Sequence, residues 1–308
     1  MTAAVPVGTR VRVRVPASSA NLGPGFDSVG LALGVWDECE VIVTDAPGLA
    51  IEVTGQGGDA VPRDESHLVV RTMRRTWAEL GVRAPRGLLV RCINAVPHGR
   101  GMGSSATAIV TGIVVAQALS NAAAGVPGFD TAFVNSLAAR LEGHPDNASA
   151  SVFGGATLSV SDDPDVSTTT VCLPLDASIV PVVFVPGEQL STAKARAVLP
   201  DRVALAEAAA NSARVGLLVH ALTQDPSLLL PATVDLLHQE PRRASYAASM
   251  ALVDRLRADG HAAVISGAGP SVLVLSTDEV APSLAAYSPQ GWDAILPGIP
   301  ERGAHLVP

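Results

Sequence analysis

The chain is 308 residues long, 48% hydrophobic and 16% charged, with a net charge of −8. That composition belongs to a globular protein and that length to two domains, while the acidic balance speaks against the basic face of a nucleic-acid binder. Three well-separated cysteines, Cys39, Cys92 and Cys172, form neither a disulfide framework nor a CxxC pair and fit a reducing cytoplasm.

Met1–Arg10 lacks a charged lead followed by an apolar stretch, so no leader peptide is expected. Arg10–Val15 alternates Arg and Val, the period of a half-buried strand. Past a Pro/Gly-rich segment, Val29–Val35 and Cys39–Val43 read as two further strands. His67–Leu80 carries Leu68, Val69, Met73, Trp77 and Leu80 at helical spacing and stops at Gly81. Leu88–Ile93 reads as a strand, followed by a Gly/Ser loop and a helix over Ser105–Ser120. The apolar run inside that helix, Ala106–Leu119, is too short to span a bilayer, so a soluble protein without a membrane partner is expected. Thr131–Leu141 fits a helix ending at Gly143–Pro145. Ala156–Val160 and Ile179–Val185 fit strands, and Arg202–Thr223 and Ala244–Ala258 fit helices. Val264–Ile265 and Val272–Leu275 bracket a Gly-rich turn. The domain break is expected near Phe153–Gly155, giving domains of 1–155 and 156–308.

The segment Pro97-His98-Gly99-Arg100-Gly101-Met102-Gly103-Ser104-Ser105-Ala106-Thr107 carries the most information. Alternate glycines let the backbone turn tightly and approach a ligand, and the helix that follows turns its free N–H groups and positive dipole end toward the loop. This arrangement attracts phosphate, and Ser104 and Ser105 add hydroxyls that can meet phosphate or a Mg²⁺-bound oxygen. A bare Gly-rich turn capped by Ser would look similar. The single lysine, Lys194, follows no glycine loop, so neither a Walker-type P-loop nor a protein-kinase lysine is present.

The loop resembles the ATP loop of the GHMP kinases (galactokinase, homoserine kinase, mevalonate kinase, phosphomevalonate kinase), with Met102 where Leu is usual. Two more segments are similar to that family's other motifs. One is Pro16–Asp27, whose Asn21-Leu22-Gly23-Pro24-Gly25-Phe26-Asp27 looks like the homoserine kinase branch in particular. The other is Val264-Ile265-Ser266-Gly267-Ala268-Gly269-Pro270-Ser271. The resemblance implies an α+β, two-domain GHMP kinase fold: an N-terminal ATP-binding domain and a C-terminal ferredoxin-like α/β sandwich, with ligands between them. It implies ATP and Mg²⁺ as cofactors and a homodimer.

Further roles follow the same resemblance. Glu142 in Glu142-Gly143-His144-Pro145-Asp146-Asn147 would hold Mg²⁺ together with Ser104, and His144 would meet the substrate. Thr192 would lie by the triphosphate, and Arg196 on a substrate carboxylate. Arg243, with Arg242 as the alternative, matches a second substrate arginine. Asn21, Asp27 and Gly267 complete the substrate set. Charge matching agrees, since a guanidinium suits a carboxylate and Asp27 can take an ammonium, which together describe homoserine better than mevalonate or galactose. Asn147 falls where some relatives carry an Asp base, so transfer without a protein base is expected, with Ser104, Glu142, Asn147 and Arg196 nearest the chemistry. A kinase for a related hydroxy acid such as mevalonate or shikimate, or a non-catalytic binder on the same fold, is the alternative.

Overall fold

The computed structural model describes residues 5–163 and 167–308, so the first four residues of the segment read for a leader lie outside it. Its first sheet is built around a long antiparallel pair, β1 (Arg10–Asn21) and β2 (Gly25–Val43). Val13 and Val15 of β1 are buried, whereas the outward Arg12 and Arg14 pair with Glu38 of β2 at 2.6 and 3.0 Å. The two strands expected in 29–43 are one strand. The break in their pattern is a register shift, with Pro16 opposite Trp36 but Ala17 opposite Leu33, and such a shift bends the strand without ending it.

That bend lets β2 change partners. Its upper half, Glu38–Val43, pairs with β4 (Gly87–Asn94), and its lower half, Val29–Leu31, pairs with β5 (Ala156–Asp163). β3 (Gly48–Gly55) runs parallel to β4, and β6 (Ser167–Leu173) pairs with β5. The sheet therefore continues past the boundary expected near residue 155, and β11 (His305–Val307) returns from the far end of the chain to pair with β1.

Helices α1 (Leu68–Glu79), α2 (Ser104–Ala123), α3 (Thr131–Glu142) and α4 (Asp146–Phe153) cover one face of this sheet. α2 is apolar on all sides and runs through the core, and the Trp77 indole donates to its Ala116 carbonyl at 3.1 Å. It is long and apolar enough to cross a membrane, yet most of it is buried within the fold. α4 escapes sequence periodicity because polar and apolar residues alike are buried along it, Asp146 to Val152 without a break, so no apolar stripe marks an inner face.

The second sheet has the order β10-β7-β9-β8 and is antiparallel throughout: β7 (Ile179–Val185), β8 (Ala262–Ile265), β9 (Val272–Thr277) and β10 (Asp293–Ile295). Alternation along β7 decides its two faces. Val183 and Val185 join a core shared with Leu31 and Leu33 of the first sheet, while Val182 and Phe184 pack under α9 (Ala247–Ala258). The remaining helices are α5 (Thr192–Ala197), α6 (Leu205–Thr223), α7 (Leu229–Ala232) and α8 (Gln239–Arg242). α6 and α7 fill the core shared by the two sheets, and the short α5 and α8 bring their side chains to the cleft between the domains.

Candidate active site

The three glycine-rich loops meet there and are bonded to one another. Ser266 Oγ donates to the Gly101 carbonyl at 2.6 Å and lies 2.8 Å from Ser19 Oγ. The Gly267 N–H donates to the Ala20 carbonyl at 3.1 Å, and Asn21 Nδ2 to the Gly267 carbonyl at 3.0 Å. Asn21 and Asp27 both hold left-handed backbone, φ 71° and 54°, which non-glycine residues rarely adopt. Asn21 Oδ1 accepts from the Asp27 N–H at 3.0 Å and locks the strained loop shut.

In the phosphate loop, Gly101 and Gly103 each have φ 71°. A Cβ on Gly101 would sit 2.2 Å from the Ser266 carbonyl oxygen, and one on Gly103 2.2 Å from Ser18 Oγ. Gly101→Ala is thus expected to lose on the order of 2 kcal/mol of stability and to weaken ATP binding at least tenfold. Thermal melts with and without nucleotide check both effects. The loop's N-terminal end is fixed by Asp37, whose carboxylate accepts from the Ala95 and Val96 N–H groups at 2.7 and 2.9 Å. Burial pushes that carboxyl up to about 6 against the pull of these two bonds.

One cleft is lined by Asn21, Asp27, Gly99, Gly101, Gly103, Ser104, Ser105, Glu142, His144, Asn147, Thr192, Arg196 and Gly267, all expected from sequence. Glu142 Oε2 accepts from Ser105 Oγ at 2.9 Å. Burial raises the Glu142 carboxyl, opposed by the charge of His144 and the Ser105 bond. His144 Nδ1 lies 2.7 Å from Asp146 Oδ1, which also accepts from the Asn147 N–H at 2.7 Å. Burial alone would lower the His144 pKa, but the hydrogen bond and charge of Asp146 outweigh it and the net shift is upward. Asn147 Oδ1 accepts from Ser18 Oγ at 3.0 Å. Asp27 and Arg196, expected on opposite charges of a substrate, face each other in a two-pronged pair at 2.5 and 3.0 Å.

Several expected residues lie elsewhere. Arg243 is on the surface, paired with Glu240 and, at 2.8 Å, with Asp254. Arg242, one residue earlier, is 1% exposed and lines the cleft. The helical turn explains the difference: α8 directs position 242 inward beside His238, and position 243 lies outward. Arg100 donates to the Pro186 and Gly187 carbonyls at 2.8 and 2.7 Å, tying the loop to the second domain, and Pro97 shares that shallow surface with it. Met102 is a core residue beneath the loop, Ala106 is buried in α2, and Thr107 Oγ1 donates to the Gly103 carbonyl at 2.8 Å. These five positions shape the loop without presenting side chains to the cleft.

His98 opens onto a second cleft, which sequence reasoning missed. Its walls include Val61, Pro62, His67, Leu68 and Cys92, and it shares Ser104 and Ser105 with the first. His67, at the N-cap of α1, is buried, and its Nδ1 has no partner among the described residues. Burial lowers the His67 pKa, with the charges of Arg63 and His98 adding to the effect, so the ring favours its neutral form. The only sequence sign of this chamber is an apolar pair before the start of α1. Two chambers joined at a helix N-terminus can hold a nucleoside on one side of a phosphate chain and an acceptor on the other.

The sequence profile of the GHMP kinases N terminal domain matches residues 67–155, and that of the GHMP kinases C terminal domain matches residues 203–288. The homoserine kinase of Streptomyces avermitilis is 51% identical over 298 residues, covering 97% of this chain and 96% of its own. The homoserine kinase of Cutibacterium acnes is 50% identical over 270 residues, with 87% and 89% coverage. Among solved structures, homoserine kinase from Cytophaga hutchinsonii superposes with a TM-score of 0.84 at 27% identity, covering 97% of each chain. Mevalonate diphosphate decarboxylase from Staphylococcus aureus shares the fold, with a TM-score of 0.70 at 17% identity over 97% of this chain and 98% of its own.

Proposed function

Because the chain belongs to the GHMP kinase family, we propose that it transfers the γ-phosphoryl group of ATP to the side-chain hydroxyl of L-homoserine, giving O-phospho-L-homoserine for threonine biosynthesis. The observation that carries this reading is one cleft holding both a phosphate-type loop and, opposite it, Asp27, Arg196 and Arg242. Relatives at about 50% identity that are named homoserine kinases support it. A soluble cytoplasmic enzyme and a homodimer belong to the same proposal.

The nucleoside seats in the second cleft, with its base near the neutral His67 and its phosphates on the N–H groups from Gly99 to Ser105. Thr192, exposed at the start of α5, closes over the phosphate chain. Glu142 fits Mg²⁺: it is a carboxylate beside the hydroxyls of Ser104 and Ser105, with no ion pair to Lys or Arg among the described residues. Mg²⁺ held by Glu142 and Ser104 would supply positive charge to the transferring phosphoryl oxygens. Asp27 takes the α-ammonium, Arg242 and Arg196 the α-carboxylate, and His144, its ring set by Asp146, forms the wall beside the hydroxyl. Positioning and charge carry most of such a transfer.

No protein base is part of this mechanism. Asn147 cannot take a proton, and Asp146 is already occupied by His144 and a backbone N–H. Asp146→Asn is expected to slow turnover about tenfold through a looser His144; abolished turnover with both substrates still bound would identify Asp146 as the base. The reading as a whole is tested by ADP release with homoserine, mevalonate, shikimate and threonine offered in turn. Homoserine should be fastest. A different preferred alcohol would overturn the acceptor, and no ADP with any of them would overturn the kinase.

A further inference from the structure

Arg242 is a buried cation that makes no ion pair among the described residues. Its Nε donates to the Ala195 carbonyl at 2.9 Å, and its Nη1 lies 3.2 Å from Nδ1 of His238, one helical turn earlier. His238 is itself fully buried, and its Nε2 lies 2.9 Å from the Gly23 carbonyl oxygen. These partners dictate the proton's place. A guanidinium can only donate, so Nδ1 must accept; a carbonyl can only accept, so Nε2 must carry the hydrogen. A doubly protonated ring would set an N–H against an N–H and one cation against another.

The surroundings agree. The Phe26 ring stacks on the imidazole, with centroids 5.1 Å apart, and both Arg242 and Arg196 lie over Phe26 at 5.5 Å. Asp235 is the nearest carboxylate, 3.5 Å from Nε2, but it already accepts from the N–H groups of Leu237, His238 and Gln239. The imidazole therefore ties α8 to the loop holding Asp27, and Arg242 in turn ties α8 to the α5 turn holding Arg196.

We propose that His238 is a positioning residue, a neutral imidazole protonated only at Nε2 that holds the Arg242 guanidinium in the orientation that receives the carboxylate end of the acceptor. This rests on the reading of the acceptor as an amino-acid alcohol. His238 does not touch the acceptor; it acts through Arg242, whose fork can meet a carboxylate in two-pronged fashion only while its plane is fixed. Burial, the largest influence on His238, lowers its pKa and so favours the neutral ring.

Two near-isosteric variants separate positioning from filling space. Asparagine places an amide oxygen about where Nδ1 lies, whereas glutamine reaches the Nε2 position and offers Arg242 nothing. His238→Gln is expected to raise the KM for homoserine about tenfold or more with the KM for ATP within about twofold, and His238→Asn to raise it less than about threefold. Equal losses in the two variants, or a parallel rise in both KM values, would overturn the proposal. Long-range ¹H–¹⁵N spectra of histidine-labelled wild-type protein at neutral pH decide the tautomer without any acceptor. A ring protonated at Nε2 alone is expected, and an Nδ1–H tautomer or an imidazolium would overturn it. Should the wild type prefer an uncharged alcohol, the acceptor reading fails, while the spectra still decide the state of His238.

Discussion

Arg242→Ala is expected to raise the KM for homoserine by about a hundredfold or more, while Arg243→Ala leaves both KM values and kcat within about twofold. The two residues are neighbours in sequence and opposites in environment. Arg243 is 38% exposed and held by Glu240 and Asp254, the kind of surface pair worth at most about 1 kcal/mol. Arg242 faces the cleft with donors that no carboxylate among the described residues satisfies, so an acceptor's carboxylate would meet a desolvated cation. Steady-state kinetics with each substrate varied in turn check this. An unchanged KM for ATP shows that the nucleotide half of the site survives the loss of a buried side chain. The reverse pattern, with Arg243→Ala the damaging change, would remove Arg242 from the acceptor site.

Glu142→Gln is expected to cut kcat by about two to three orders of magnitude with ATP still bound, since it removes the carboxylate best suited to a hard cation beside the phosphates. The same change should stabilise the metal-free and nucleotide-free protein at neutral pH. Burial raises the Glu142 carboxyl above its unfolded value, so the fold favours the protonated form. Its contribution is whole below the unfolded pKa and is lost as pH rises through the folded one. Glutamine keeps the uncharged state at every pH, and its melting temperature should exceed that of the wild type most clearly above that window. Lost turnover with gained stability would mark Glu142 as a functional residue held at a structural cost. Full turnover in Glu142→Gln would remove it from the metal site.

The parts legible in sequence were those where geometry permits few residue types. Gly101 and Gly103 announce themselves because left-handed backbone and close approach to Ser266 and Ser18 exclude a side chain. The Arg/Val alternation of β1 likewise leaves little choice. The second cleft was not legible, because Val61, Pro62, His67 and Cys92 converge only after α1 docks against the sheet. α4 carried no apolar stripe, and β2 looked like two strands because a register shift falls where its pattern breaks. The motif left Arg243 and Arg242 as alternatives, and the helical step from His238 reaches Arg242. A turn of helix, which a linear motif does not display, decides which of the two side chains points inward.

If the acceptor binds as proposed, the ion pair between Asp27 and Arg196 sets what the cleft turns away. Each charge already has a partner before any ligand arrives, so a visitor must offer as much as it displaces. A zwitterion can do so: its ammonium replaces Arg196 at Asp27, its carboxylate replaces Asp27 at Arg196, and one internal pair becomes two external ones. A hydroxy acid without an ammonium, or an amino alcohol without a carboxylate, would separate the pair and leave one member stranded in a half-closed cleft. On that reading the resting salt bridge would act as a gatekeeper by valence, favouring molecules that carry both signs of charge over those with only one.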